Sequence, residues 1–135
     1  MTRAVYVDVT FPPLWQVLSA YLEQALEASG AKADWGVEDV REAALKKEVD
    51  VWALVDDAGI FGGAVTALNV YPRSKVVDVL LMGTDPHRED GWVVCFEQLK
   101  GIARNIGATK ITGTGRPGWA RKLGAKEKRV FELEV

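Results

Sequence analysis

The sequence predicts a single α/β domain built around a mixed sheet, and three observations carry that prediction. Runs rich in β-branched residues, such as Val5-Tyr6-Val7-Asp8-Val9 and Val76-Val77-Asp78-Val79, alternate with stretches whose apolar residues recur every three or four positions. Turn-forming residues fall between these segments. At 135 residues, 48% hydrophobic and 27% charged, the chain is long enough to bury a core without disulfide or metal support.

Each element has its own warrant. Residues 4–10 are β-branched and form the first strand, broken by Phe11-Pro12-Pro13, which suits the first turn of a helix. Leu14, Val17, Leu18, Tyr21, Leu22, Ala25 and Leu26 form one apolar stripe, and Gly30 stands where that helix ends. A second helix covers residues 37–48, with Val40, Ala44 and Leu45 inward and the charges outward. Residues 51–55 and 60–71 are strands joined by the hairpin signal Asp56-Asp57-Ala58-Gly59. Gly62-Gly63 inside the second of these marks a bulge or a close backbone approach. Pro72-Arg73-Ser74 turns the chain into a strand over 75–82. From 91 to 106 the apolar residues cover more than one helix face, as expected for a helix enclosed by sheet and neighbours. Residues 110–113 are a short strand, and Gly115-Arg116-Pro117-Gly118-Trp119 opens a helical turn closing at Leu123-Gly124-Ala125. Residues 129–135 alternate, with Phe131, Leu133 and Val135 against Glu132 and Glu134, and read as a last strand.

Bulk chemistry narrows the function. A net charge of −2 gives no basic field, which argues against a nucleic-acid partner. One Cys rules out an internal disulfide, and its place in an apolar helix points to a buried thiol rather than a nucleophile. One His among scattered carboxylates offers no metal-ligand spacing. No apolar run approaches spanning length and no signal-peptide pattern opens the chain, so no membrane partner is expected and the protein is placed inside a cell or in something assembled there. Five Trp in so short a chain imply aromatic packing of the core or of an interface.

The element order β-α-α-β-β-β-α-β-α-β resembles the GNAT (GCN5-related N-acetyltransferase) fold over essentially the whole chain, implying one GNAT-like domain over 1–135. Residues 115–125 look like the late helix and turn that in the family end in a Gly-Phe pair. The run Gly115-Arg116-Pro117-Gly118-Trp119 in so small a domain resembles the GNAT-like proteins encoded by tailed bacteriophages.

In the family, the loop after the fourth strand reads Gln/Arg-x-x-Gly-x-Gly/Ala and holds the acetyl-CoA pyrophosphate on backbone N–H groups. Here Arg88 and Gly91 match that loop, while Val93 replaces the second small residue and would crowd the cradle. Glu89 and Asp90 put carboxylates where the pyrophosphate would sit, and Asp90 is placed to cap the helix. Repulsion of a polyanion at contact is about 1 kcal/mol per charge pair even in a water-like dielectric. The Tyr that protonates the leaving thiolate in the family falls at Ala120, and the Phe of the Gly-Phe pair at Ala125.

Two functions are therefore carried. The first is a non-catalytic GNAT-like phage protein with no cofactor, acting in the virion or host cytoplasm through contacts with other virion or assembly proteins. Arg116, Trp119, Phe131 and Leu133 are its interface candidates, and self-association into a homo-oligomer is a further option. The second is an acetyl-CoA-dependent N-acetyltransferase with a divergent loop, using Asp78 as base and Arg88 and Gly91 for the cofactor, with Asp85 and His87 as weaker bases. Each residue also has a plainer reading. Arg88-x-x-Gly91 can be a polar loop before a helix, Asp78 a solvated or paired strand residue, His87 a surface residue, and 116–119 a structural corner.

Overall fold

The sheet owes its shape to three consecutive strands joined by tight reversals, one that precedes them by way of two helices, and one that arrives by a crossover. The computed structural model describes all residues except His87, Glu89, Arg116 and Pro117, and all other side chains except that of Ala33. The readings made of His87, Glu89 and Arg116 lie outside the described residues. The elements are β1 (Arg3–Tyr6), α1 (Pro12–Ser29), a 3-10 turn (Ala31–Ala33), α2 (Val37–Leu45), β2 (Asp50–Asp56), β3 (Gly59–Val70), β4 (Lys75–Thr84), α3 (Gly91–Asn105), β5 (Lys110–Gly113) and α4 (Trp119–Leu123). The sheet order is β1-β2-β3-β4-β5, antiparallel up to β4 and parallel between β4 and β5. A parallel neighbour needs a crossover, and α3 supplies it. This is the mixed α/β sheet that the sequence predicts.

Alternation along the strands sorts the apolar side chains into two clusters. Ala53, Val65 and Leu81 join Leu18, Leu22 and Leu26 of α1 and Val40 of α2. Their chain neighbours Leu54, Ala64 and Met82 pack instead with Phe61, Trp92 and Cys95 on the α3 side. Leu18, Leu22, Leu26 and Phe61 are wholly buried, each contributing roughly 2 kcal/mol of transfer free energy. Trp52 pays its polar debt inside this sheet, its indole N–H donating to the buried Thr66 hydroxyl at 2.9 Å.

The expected elements recur with four differences. β1 ends at Tyr6 rather than residue 10, because the Asp8 carboxylate accepts bonds from both the Thr10 N–H and its hydroxyl and folds 8–10 into a turn. Val7 and Val9 remain buried beyond it. α2 stops at Leu45 because Lys47 takes a left-handed φ of 63°, and Leu45 faces solvent instead of the core. The Gly62-Gly63 expectation holds in both its forms. Phe61 is the unpaired residue of a bulge opposite Leu54/Val55, and a Cβ on Gly62 would lie 2.6 Å from the Gly83 carbonyl oxygen. The last strand is absent: residues 129–135 pair with nothing described, leaving Phe131 90% and Leu133 79% exposed. Alternation fixes which side chains share a face, but a strand also needs an edge to pair with.

β4 and α1 approach each other backbone to backbone. A Cβ added at Gly83 would sit 2.3 Å from the Tyr21 backbone carbonyl oxygen. Replacing Gly83 by Ala must therefore push α1 off the sheet, at a cost of about 1–3 kcal/mol read from urea unfolding. A loss below about 0.5 kcal/mol would show that α1 shifts freely and is not held by this contact.

Candidate functional site

The site begins where two strands part company. β5 pairs with β4 only from Val76↔Lys110 to Val79↔Gly113, and β4 then runs on alone to Thr84. From Leu80 onward β4 keeps β3 on one side and, among the described residues, has no strand on the other, so backbone donors and acceptors face the gap. Register confirms a local break here: Val79 pairs with Thr66 and Leu81 with Val65, leaving Leu80 as the extra residue of a bulge. The gap is a cleft of about 610 Å³, walled by this edge, by Gln24 and Ser29 of α1, by Trp92 of α3 and by Trp119 and Lys122 of α4.

Trp119 is the aromatic wall of that cleft rather than an outward-facing anchor. Its ring packs on Trp92 with centroids 5.2 Å apart, and it covers Gly115, whose added Cβ would lie 2.1 Å from the indole. The close approach in this stretch is thus made at Gly115. Gly118 instead supplies a left-handed φ of 95° that turns the chain into α4.

The N-terminus of α3 opens beside the cleft, and here the structure rearranges what the sequence implied. Asp90 holds the N-cap position but makes no side-chain cap bond. Its carboxylate instead meets the Lys122 ammonium at 3.3 Å, so its charge is offset by a cation from α4. Val93 does not stand as a bare obstacle either, since it packs against the Leu54–Phe61–Trp92 cluster. Gly91 is required for a reason unrelated to any ligand: a Cβ there would lie 2.8 Å from the ring of buried Phe61. Arg88 is engaged elsewhere, one guanidinium nitrogen contacting both Asp56 carboxylate oxygens at 2.7 Å. That pair is two-thirds or more buried on each side and ties the loop after β4 to the end of β2.

Of the two candidate carboxylates, one lines the cleft and the other does not. Asp85 lines it and accepts a 3.0 Å hydrogen bond from the Tyr21 hydroxyl. Burial first, and then that bond and the Asp85 charge, push the Tyr21 phenol above its ordinary pKa. Asp78 lies where β4 and β5 are still paired, half-buried and accepting a 3.1 Å bond from the Thr112 hydroxyl rather than pairing with a cation. Tyr21 and Lys122 are the participants that sequence reading missed. Tyr21 sat in the apolar stripe of α1 with nothing to separate it from a core residue, and Lys122 meets Asp90 only through α4. Phe131 and Leu133 lie in the exposed tail outside the cleft. Among the described residues no group of His, Cys, Asp and Glu could hold a metal ion, and no helix is long and apolar enough to cross a membrane.

Cys95 is buried on the α3 side of the sheet, and desolvation pushes its thiol from an ordinary 9.0 up to about 11. A raised folded-state pKa stabilises below the unfolded value and is lost as pH rises through the folded one. Thermal stability should therefore fall between pH 9.0 and about 11 through this group, and the fall should flatten in Cys95→Ala. An unchanged slope in the variant would show that the thiol ionises as freely folded as unfolded.

No family model and no curated protein matches the sequence. Solved structures match its fold over nearly the full length of both chains. An aminoglycoside acetyltransferase from an uncultured soil metagenomic sample, in complex with sisomicin, superposes with a TM-score of 0.70 at 12% identity, covering 99% of this chain and 95% of its own. A predicted acetyltransferase from Clostridium acetobutylicum with acetyl-CoA gives 0.72 at 15%, covering 99% and 96%. An acetyltransferase from Trypanosoma brucei gives 0.62 at 17%, with both chains covered completely. With the parted β4 and β5 and the order of elements above, these likenesses show that the chain has the fold of the GNAT acetyltransferases.

Proposed function

We propose that the protein is an acetyl-CoA-dependent N-acetyltransferase. The observation that carries this reading is the free edge of β4 from Leu80 to Thr84 beside the N-terminus of α3. Coenzyme A is an extended chain bearing amides and a pyrophosphate. An unpaired strand edge offers the amides backbone partners, and the first N–H groups of a helix offer the pyrophosphate donors with a favourable dipole. Lys122 completes the fit, because its ammonium can exchange the Asp90 carboxylate for a phosphate without leaving α4. Arg88 serves this site indirectly, bracing the loop through Asp56.

Acetyl-CoA supplies a thioester carbonyl open to attack by an amine. The chain's own contribution is to hold that carbonyl against N–H donors of the β4 edge and to exclude water with Trp92 and Trp119. Asp78 remains the candidate proton acceptor within β4, with Asp85 the carboxylate nearest the cleft wall. The solved acetyltransferase with acetyl-CoA of the same fold supports the reading.

A second reading is a non-catalytic phage protein working in a virion or host cytoplasm through partner or self contacts. It is favoured by Ala120 at the position of the family's Tyr and by the exposed apolar side chains of Phe131 and Leu133.

Calorimetric titration separates the two. Acetyl-CoA should bind with micromolar affinity, and Lys122→Ala should weaken binding about tenfold, or ~1.4 kcal/mol. No binding at millimolar acetyl-CoA overturns the enzyme reading. In turnover assays, Asp78→Asn should lower kcat with acetyl-CoA affinity unchanged, whereas loss of activity only in Asp85→Asn would transfer the proton-accepting role to Asp85.

A further inference from the structure

Beside the cleft, on the α2 side of β4, lies a smaller pocket of about 100 Å³, bounded by Trp35, Val40, Val65, Leu80 and Leu81 among others. Leu80 and Leu81 line both spaces. The bulge explains how: Leu80 is the extra residue, so two consecutive side chains reach the α2 side, while Val79 lines the opposite, α3 side. Every residue bounding this pocket is apolar, with Trp35 and Leu80, each 38% exposed, forming its rim.

We propose that this pocket is the acceptor subsite, and that the acceptor is a primary amine carried on a short apolar group no larger than a single ring. The proposal rests on the acetyltransferase reading above. Leu80 and Leu81 wall both spaces, so the pocket adjoins the cleft at the bulge, and an apolar group seated under Trp35 would bring its amine to the β4 edge. A cavity on the order of 150 Å³ holds benzene, so this one takes an alkyl group, or a ring once the Trp35 rim opens. A polycation fits poorly, because each ammonium buried without a partner costs several kcal/mol. The same apolar surroundings favour the neutral amine, the form with a free lone pair. Its nitrogen bonds to the thioester carbon and the C–S bond breaks. The proton lost by nitrogen passes to the Asp78 carboxylate, and the departing thiolate takes one from water, giving an amide and free coenzyme A thiol.

The test follows thiol release with acetyl-CoA and three acceptors: phenylethylamine, spermidine and sisomicin. Phenylethylamine should be used with kcat/KM at least about tenfold above either polycation. Its kcat/KM should rise with pH as the neutral fraction grows. Trp35→Ala should raise its KM about tenfold with kcat preserved, and Leu80→Ala should do the same if Trp35→Ala fails to fold. Preference for a polycation, or an unchanged KM in the folded variant, overturns the proposal. Acetyl-CoA binding is measured on the same sample. Binding without use of apolar amines defeats this proposal alone, whereas absence of binding defeats the acetyltransferase reading and this proposal with it.

Discussion

A parallel strand that is too short governs the rest of the molecule. β5 gives β4 four residues of pairing, while β3 accompanies β4 to its end. The second half of β4 is thereby left with one row of backbone groups unpaired by strand, next to a helix whose first N–H groups have no side-chain cap. Both features concentrate unmet hydrogen-bonding capacity in one cleft, and both persist because the surrounding core is rigid. α1 presses on β4 at Gly83, Phe61 presses on α3 at Gly91, and Trp119 lies over Gly115. At these three points the absence of a Cβ lets an element settle close enough to hold the cleft open.

The bulge at Leu80 adds a second consequence. Strand alternation sends adjacent side chains to opposite faces, yet here Leu80 and Leu81 both serve the α2 side. One extra residue thus gives the cleft on the free edge of β4 and the apolar pocket under Trp35 a shared wall. Every residue bounding that pocket is apolar, so it presents no acidic surface to a polycation.

Electrostatics at the mouth of the cleft are settled by pairs drawn from separate elements. Asp90 from the α3 turn meets Lys122 from α4, and Arg88 from the β4 loop meets Asp56 from β2. Each pair removes a charge that, taken alone, gives a misleading account. A lone Asp90 implies repulsion of phosphate, and a lone Arg88 implies attraction to it. Paired, the first carries a cation beside it at the surface, and the second becomes a brace.

The sequence by itself determined the architecture: the period of apolar residues in α1 and α3, the β-branched runs of β2 to β4, and the hairpin turn at Asp57–Gly59 are local signals, and local geometry reads them directly. It also marked the Gly62-Gly63 pair as a bulge or a close backbone approach, though not what the backbone approaches. Only the tertiary structure decided the partners. Whether a carboxylate caps a helix or meets a lysine thirty-two residues away, and whether a glycine makes room for a ligand or for Phe61, depends on which surfaces meet across the fold. The tail shows the limit in reverse: alternation in 129–135 specifies a face, but a strand forms only by pairing with an edge, and these residues pair with none of the described strands.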